Sequence, residues 1–550
     1  MTEPPRLFAP PARFTTAPAG EQVPFAALPS HAHEVSMGFE PAPSLLELFE
    51  CADNPDDPFE LRDLYLGRVE AHMGAIGTRG DLAVRWKAAT KKRTVDVAEV
   101  LHSRATPRFV KETFNSFFRD DLYGSLRSDD QLILSTGAVD EEAWGLPTTI
   151  KDCIAFALDR DWYGYSDSRG REPAREAIAA YESARLHGAA YTLDNVALTM
   201  GGTFALSCLA DFILTGHSSS APSLCAIPNY PPLVESIARR GPVQLVPTPV
   251  VNGRTSIDAL IDQLRPDTPL VLLQTVTNPT GTLVDEQELS RLIRAAGPQT
   301  MILLDECHEW LGPPQRLSPT RAAGNVVRIS SLSKNWSAPG MKVGWILAGS
   351  AFIDAYYEYA SSSFGGPPSF FYTAIEVLAR MERWRDAGID ELGPEQLSEF
   401  EDSYGLTREN LQMSYGRYVR ERAQREHDLV QLRNLATARL DLPSTTVAAA
   451  RYSINTAVRL HDFDDSYVAF RELLEQENVA VFPGILTFCL DEAVVRVTTS
   501  RRLSQLGPSL DRIESFLARR RAQQTCDQGL AKGSTPHRSA SPAASGPANT

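Results

Sequence analysis

The chain has 550 residues, of which 43% are hydrophobic and 22% are charged, a composition typical of a folded protein with several domains. Its net charge of −15 argues against a surface for nucleic acid or acidic membranes, because such surfaces need positive fields. The seven cysteines form no CxxC pair, which favours reduced thiols in a cytoplasm over a disulfide framework or a metal site. No apolar run approaches about 18 residues and the N-terminus lacks the apolar core of a signal peptide, so we expect neither a membrane span nor secretion.

The first 130 residues divide into two parts. Residues 1–42 are rich in proline and alanine, and we expect a flexible segment. Residues 43–130 show apolar side chains at helical spacing, as in "SLLELFECA" and "PRFVKETFNSFFRDDLY", and predict a helical N-terminal extension. The stretch "TVDVAEVLHSRATPRFVKETFNSF", preceded by the basic "RWKAATKKR", also suits a helix-turn-helix, so a DNA-binding regulator is one hypothesis.

Residues 131–350 alternate short apolar runs with longer amphipathic ones. "NVALTM", "SLCAIP", "LVLLQTV", "MILLDE" and "VVRISS" read as strands, and the segments between them read as helices. This alternation predicts an α/β fold with a mostly parallel sheet wrapped by helices. Residues 351–520 predict a smaller C-terminal α/β domain with a polar insertion near 389–409, and residues 521–550 predict a disordered tail.

Polar residues follow several of these predicted strands, where open α/β sheets bind ligands. Gly201, Gly202 and Thr203 form a turn into a helix, which suits phosphate, and Asp305 ends a very apolar strand. Lys334 follows "ISSLS", in a chain where only eight of 54 basic residues are lysine. Lysine, unlike arginine, can lose its proton and form a Schiff base.

Two more strand ends carry candidate groups. Tyr230 lies among three prolines in "IPNYPP" and could stack on a planar ring, and Asn278 lies in "TNPTG". Each of these signals alone also suits an ordinary turn, loop packing or a helix cap. Their order and spacing together describe a pocket for pyridoxal phosphate, in which Asp305 would face a protonated ring nitrogen.

With these motifs the sequence resembles the class I/II aminotransferases, which are fold type I enzymes dependent on pyridoxal 5′-phosphate. The resemblance covers about residues 130–520 and rests on "YGYSDSRGREPAREAI", "GGT", "NPTG", "DECH" and "SLSKNWSAPGMKVGW". It implies a Schiff base at Lys334 and a pairing of Asp305 with the ring nitrogen. The other cofactor contacts that it implies are Gly201, Gly202, Thr203, Tyr230, Asn278, His308, Ser331, Ser333 and Lys342, with Tyr165 reaching the phosphate from a partner subunit of a homodimer. Arg496, Asn278 and Gly137 are the implied substrate contacts.

The sequence departs from the family pattern at two of these positions. The family usually has arginine where this chain has Lys342, which keeps the positive charge and loses the bidentate fork. The family usually has tyrosine where this chain has His308. A histidine there is either a tolerated substitution or a group whose charge changes near about pH 6–7 and alters the cofactor's spectrum and chemistry.

The shared residues leave the reaction open. Transamination of an α-amino acid is the main hypothesis, because Arg496 is expected to bind an α-carboxylate. The long N-terminal extension, the polar insertion and His308 keep an alternative open, a lyase, replacement or annulation enzyme similar to 1-aminocyclopropane-1-carboxylate synthase, which acts on S-adenosylmethionine. The segment "ASSSFGGPPSF" lacks the second arginine of aspartate aminotransferases, which argues against aspartate as the donor.

Overall fold

A computed structural model describes residues 23–533 except 129, 217–219, 363–365, 400–405, 407, 449 and 492. In this part of the chain the helices before the main sheet are α1 (Pro43–Cys51), α2 (Pro58–Met73), α3 (Gly80–Ala88), α4 (Val97–His102), α5 (Ala105–Ser116), α6 (Glu141–Trp144), α7 (Thr148–Asp159) and α8 (Glu172–Arg185). A π-helical stretch, Phe117–Ser125, continues α5. The helices that follow are α9 (Gly202–Leu214), α10 (Pro231–Ala238), α11 (Asp258–Asp262), α12 (Glu286–Ala295), α13 (Ser350–Ala360), α14 (Tyr372–Asp386), α15 (Pro394–Ser398), α16 (Arg408–Leu440), α17 (Ser466–Glu477) and α18 (Leu503–Gly533).

The strands of the described residues belong to one large sheet and several small ones. They are β1 (Leu132–Ile133), β2 (Val196–Thr199), β3 (Ser223–Ile227), β4 (Val243–Pro247), β5 (Val250–Val251), β6 (Arg254–Thr255), β7 (Leu270–Gln274), β8 (Met301–Asp305), β9 (Val326–Ser331), β10 (Gly344–Leu347), β11 (Thr445–Val447), β12 (Asn455–Leu460), β13 (Val479–Ala480), β14 (Phe482–Pro483) and β15 (Val494–Thr498).

The seven-stranded sheet has the order β2-β10-β9-β8-β7-β3-β4. The strands β9, β8, β7, β3 and β4 pair in parallel, and β10 runs antiparallel to both of its neighbours. Runs such as "LVLLQ" of β7 are buried throughout, as expected for strands covered by helices on both faces. The α/β fold class and the five strands predicted from the sequence are confirmed.

A four-stranded antiparallel sheet, β11-β12-β15-β14, lies in the C-terminal part. It contains the two strands expected in "YSINTAVRL" and "VVRVTTS", and α17 is the expected helix. Helices α13 and α14 lie in the segment predicted as the smaller domain, and both contact helices of the large sheet: Phe352 of α13 meets Phe212 of α9. Ile375 and Leu378 of α14 share a core with Ala177 and Ile178 of α8, because their apolar faces are complementary.

Both chain ends are more ordered than their composition suggests. Residues 23–42 pack on the body of the protein: Met37 pairs with Val250, and Phe39 is fully buried. Helix α18 continues to Gly533, whereas the composition predicts disorder from residue 521. Residues 1–22 and 534–550 lie outside the described residues, as do residues 400–405 and 407 of the polar insertion and 363–365 of "ASSSFGGPPSF". None of the described helices is both long enough and apolar enough to cross a bilayer.

Candidate active site

The carboxyl ends of the central strands bring polar groups to one edge of the sheet. Gln274 ends β7, Asp305 ends β8, Ser331 ends β9 and Gly201 follows β2. In open α/β sheets this edge binds ligands. The edge therefore positions four groups with hydrogen-bonding capacity next to the loop that carries Lys334.

Lys334 lies in the turn after β9, and its Nζ donates a hydrogen bond to the carbonyl oxygen of Gly137. A Cβ at Gly137 would lie 3.3 Å from Lys334 Nζ and 3.7 Å from a terminal nitrogen of Arg496, so only glycine leaves this space open. Burial and the positive charge of Arg496 lower the pKa of Lys334 to about 8. Part of the amine is therefore neutral in neutral solution, as a nucleophilic or basic lysine requires.

Asp305 is buried and held in one orientation. Its Oδ2 accepts a hydrogen bond from Gln274 Nε2 at 2.8 Å, and its Oδ1 accepts one from the Cys307 N–H at 3.1 Å. Gln274 Oε1 in turn accepts from the N–H of Asn278 at 3.2 Å. The amide of Gln274 therefore connects the strand-end carboxylate to the Asn278 turn.

Arg496 of β15 approaches Lys334 from the C-terminal sheet. It donates to Asn278 Oδ1 at 3.2 Å and to the Ser135 carbonyl at 2.8 Å, and its guanidinium lies 4.1 Å from the centroid of the Phe482 ring. Burial lowers the pKa of Arg496 to about 10, and no described carboxylate pairs with it. A buried guanidinium without a carboxylate partner is well suited to bind the carboxylate of a ligand.

His308 is buried, and its Nδ1 lies 2.7 Å from Ser453 Oγ. Burial, together with the positive charges of Lys334 and Arg496, lowers the pKa of His308 well below its usual value. A lowered pKa favours the interpretation of His308 as a tolerated neutral substitution over a charge change near about pH 6–7, which stays a prediction. Burial and the two neighbouring cations therefore favour the neutral ring of His308.

A glycine turn joins β2 to α9. Gly201 has a φ of 86°, which favours glycine, and Gly202 begins the helix, where backbone N–H groups lack helical partners and can bind an anion. Ser331 Oγ donates to Cys307 Sγ at 3.3 Å, and a Cβ at Gly202 would lie 2.9 Å from the same sulfur. The turn, Ser331 and Cys307 therefore line one small region at the start of α9.

Three more of the expected phosphate contacts surround this region. Thr203 is exposed on the first turn of α9, and the N–H of half-buried Ser333 donates to Ser331 Oγ at 3.4 Å. Lys342 is exposed, and its Cα would lie 3.9 Å from a Cβ at Gly201. Its cationic side chain is therefore free to reach an anion bound at the turn.

These groups fit pyridoxal 5′-phosphate and an amino acid. The cofactor presents an aldehyde, a ring nitrogen and a phosphate, and the amino acid adds a carboxylate. The structure offers a lysine amine, a buried carboxylate, an anion-binding turn and a buried arginine for these four groups, with an open space at Gly137 between Lys334 and Arg496. The pattern of the family described as aminotransferase class I and II matches residues 129–513.

The chain belongs to the class I and II aminotransferase family. It is 26% identical over 398 residues to the valine–pyruvate aminotransferase of Mycobacterium tuberculosis, with 71% of this chain and 90% of that protein covered. It is 25% identical over 400 residues to aromatic-amino-acid aminotransferase 2 of Thermococcus litoralis, covering 70% and 92%. The crystal structure of an aromatic aminotransferase from Pyrococcus horikoshii has the same fold, with a TM-score of 0.58, 19% identity, and 72% of this chain and 97% of that chain covered.

Membership in this family supports an enzyme that uses pyridoxal 5′-phosphate and acts on amino acids, as predicted, over both alternatives. The structure also explains why the helix-turn-helix hypothesis is unsuitable. Phe109 and Val110 of α5 are fully buried, and Arg104 and Arg108 of the same segment bond Ala238 O and Glu235 of the α10 region. Helix α5 is therefore built into the body of this aminotransferase through its apolar residues and these two arginines.

The two tyrosines expected to contact the cofactor, Tyr230 and Tyr165, lie in different surroundings. Tyr230 precedes α10, is half-buried, and meets Phe114 edge-to-face with ring centroids 5.8 Å apart. Tyr165 is fully exposed, so the fold of a single chain does not bring it to the site. Its contact with the phosphate of a partner subunit stays a prediction.

Several residues that hold the site together are not evident from the motifs of the sequence. Gln274 had a signal in the sequence, since it is the polar residue at the end of an apolar strand. In the structure it lies in register with Asp305. Phe482, Ser453 and Ser135 had no such signal, because each reaches its partner only through the tertiary fold.

A cavity of about 1100 Å³ shares Cys307 with the region at the start of α9, but its lining contains neither Lys334 nor Arg496. Its lining includes Ser330 of β9 and Trp345 of β10, while Ser331 and Gly344 at the neighbouring positions face the candidate site. Successive strand residues point to opposite faces of a sheet, so the cavity lies behind the sheet. The side chains around Lys334, and not the size of a cavity, therefore identify the active site of the aminotransferase.

Proposed function

We propose that this aminotransferase takes α-amino acids with apolar or aromatic side chains. The observation that carries the proposal is Arg496, buried without a carboxylate partner beside the Lys334 amine and covered on one side by the Phe482 ring. When bound, pyridoxal phosphate supplies an electron-accepting ring for the α-carbon of the substrate. Asp305 would hold the ring nitrogen protonated, the turn at Gly201 would hold the phosphate, and Arg496 would hold the substrate carboxylate.

The residues of the chain then have separate tasks. Lys334 holds the cofactor through Nζ, and its lowered pKa suits an amine that accepts the α-proton of the substrate and releases it again. Gln274 keeps Asp305 in place, and Asn278 orients the guanidinium of Arg496. Hydrogen bonds join Asp305, Gln274, Asn278 and Arg496 in one chain, so these groups need little rearrangement to act.

An aromatic wall beside Arg496 supports an apolar or aromatic substrate side chain. Phe114 and Phe118, on α5 and its π-helical continuation, are half-buried and lie with ring centroids 6.0 and 6.1 Å from that of Phe482. Phe114 also contacts Tyr230. These two phenylalanines lie outside the matched family region, which begins at residue 129. The described part of "ASSSFGGPPSF" contributes no second arginine for an acidic side chain.

Substrate selection tests the aromatic wall. Phe118→Ala should lower kcat/KM for phenylalanine by about 10-fold relative to alanine, since an aromatic pair and its buried area contribute roughly 1–2 kcal/mol. Keto-acid formation from a panel of amino donors, followed by mass spectrometry, measures this ratio. Phe59→Ala, at an exposed phenylalanine of α2, is the matched control and should leave the ratio unchanged. A preference for aspartate or glutamate in the wild type would refute the proposed substrate class.

Removal of Arg496 tests the carboxylate site. Arg496→Ala should reduce kcat/KM for every α-amino acid by about 10²-fold or more, because a desolvated charged hydrogen bond is lost. Arg496→Lys keeps the charge without the bidentate fork and should recover part of the rate. Steady-state kinetics on both variants measure these changes in kcat/KM. Unchanged kinetics in Arg496→Ala would place the carboxylate elsewhere.

We also propose a homodimer in a reducing, cytoplasmic compartment. Leu158, Tyr163 and Tyr165 are exposed on one segment, and such neighbouring apolar side chains suit an interface. Light scattering should give twice the mass of the chain, and an active monomer would contradict the dimer.

The proposal of a reducing compartment rests on the cysteines. The six cysteines of the described chain are free thiols.

A further inference from the structure

Ser453 holds a constrained position between the C-terminal sheet and His308. It has a φ of 63°, a region in which a residue other than glycine is strained. Its N–H donates to the Trp310 carbonyl at 2.8 Å, and its own carbonyl accepts from Arg433 at 2.8 Å. Strained backbone that the surroundings hold this firmly is typical of functional positions.

The donor to the Ser453 carbonyl, Arg433, is a buried charged group. It is 3% exposed, and within the described residues its guanidinium forms no ion pair. Burial lowers its pKa to about 10. Burying a charge without a carboxylate partner costs stability. The bond from Arg433 to the Ser453 carbonyl is therefore better explained as fixing the position of Ser453 than as stabilising the fold.

The hydroxyl of Ser453 is directed at one ring nitrogen of His308. Its Oγ lies 2.7 Å from Nδ1, and both side chains are buried. If Nδ1 carried the imidazole proton, the hydroxyl hydrogen would have no acceptor among the described residues. If Nδ1 is bare, the hydroxyl donates to it and the imidazole proton stays on Nε2.

We propose that Ser453, held by Arg433 and Trp310, is a positioning residue that keeps His308 in the Nε2–H tautomer. The neutral ring then presents a hydrogen-bond donor, Nε2–H, on the side away from Ser453. Only the acceptor rests on the proposed function: it would be an ionised ring oxygen of the bound cofactor. Ser453 thus gives a histidine the single donor that a phenol would otherwise provide.

Nitrogen NMR on the full-length protein with ¹⁵N-labelled histidine tests the tautomer, with cofactor added. The His308 signals are those that disappear in His308→Tyr. The wild type should show a neutral ring protonated on Nε2 from about pH 6 to about pH 8. Ser453→Gly removes the hydroxyl and suits the left-handed backbone, so it should fold normally and show a substantial Nδ1–H population. A wild-type ring protonated on Nδ1 or on both nitrogens, or an unchanged tautomer in Ser453→Gly, would overturn the proposal.

Kinetics separate positioning from a merely structural role. Ser453→Gly should lower kcat by about 10-fold with little change in KM, and it should have no further effect in a His308→Tyr background. An equal loss in both backgrounds would contradict the proposal. If the protein takes up no pyridoxal phosphate, the proposed function fails, yet the NMR result still decides whether Ser453 sets the tautomer.

Discussion

The variant Lys334→Ala should lose the visible absorption band of the bound cofactor and fall in kcat by about 10⁴-fold, the upper end of the range that a positioned proton-transfer group contributes. The reason is that Lys334 Nζ is the amine that faces the space between Gly137 and Arg496. Absorption spectra after dialysis and single-turnover rates measure the two effects. Lys342→Ala is the matched control: it removes an exposed lysine at the phosphate turn and should weaken cofactor affinity while leaving the band. A coloured and active Lys334→Ala enzyme would refute the assignment.

The lowered pKa of Lys334 adds a pH dependence to this prediction. Only the neutral amine attacks an aldehyde, and burial with the charge of Arg496 brings the pKa of Lys334 to about 8. The rate at which cofactor-free protein captures pyridoxal phosphate should therefore rise with pH and level off above about pH 8, not above the value of about 10.4 for a free lysine. Stopped-flow absorbance measures this rate. A rise that continues to about pH 10 would show that the amine is unperturbed.

The variant Arg328→Met should lower the free energy of unfolding by about 3–5 kcal/mol, since it breaks a buried ionic network on the back of the sheet. The guanidinium of Arg328 donates to Glu306 at 2.8 Å and to Glu182 at 2.7 Å, and all three side chains are buried. Although burial alone would raise it, the charges of Arg328 and Arg321 lower the pKa of Glu306 to about 2. Loss of Arg328 would leave two buried carboxylates with one arginine each, Arg321 for Glu306 and Arg185 for Glu182.

Chemical denaturation of Arg328→Met and of a surface control measures this effect. Arg291→Met removes an exposed arginine that also pairs with two carboxylates, and it should cost under about 1 kcal/mol. The pKa of the Glu306 carboxylate is depressed in the folded state, so its contribution is complete above about pH 4.5 and is lost as the pH falls towards 2. Equal small losses for the two variants would show that the network contributes no more than a surface pair.

The network also explains why Asp305 is well placed. Glu306 follows Asp305 directly, and Arg328 lies on the neighbouring strand, in register with Leu304. The ionic pairing behind the sheet therefore holds β8 and β9 together at the point where the two strands end in the site. We expect Arg328→Met to lower cofactor affinity as well as stability.

The amino-acid sequence by itself determined the strands of the main sheet and most of the residues at their ends. Lys334, Asp305, Asn278 and Gly201 lie at or just after the ends of buried apolar runs, and parallel strands bring their carboxyl-terminal residues to one edge of the sheet. The local sequence pattern was sufficient to predict these positions, because each group belongs to, or directly follows, the strand that positions it. The same pattern favoured disorder for residues 23–42, which the structure instead packs against Val250 through Met37.

Only the tertiary structure decided the chemistry around these residues. The fold buries His308 beside Lys334 and Arg496, which lowers its pKa, and brings its Nδ1 to Ser453, far along the chain. The Phe114 ring reaches Tyr230 from outside the matched family region. Charge state, hydrogen-bond direction and pocket shape depend on the distance between side chains and on the exclusion of water, and both are properties of the packed molecule that no local stretch of sequence contains.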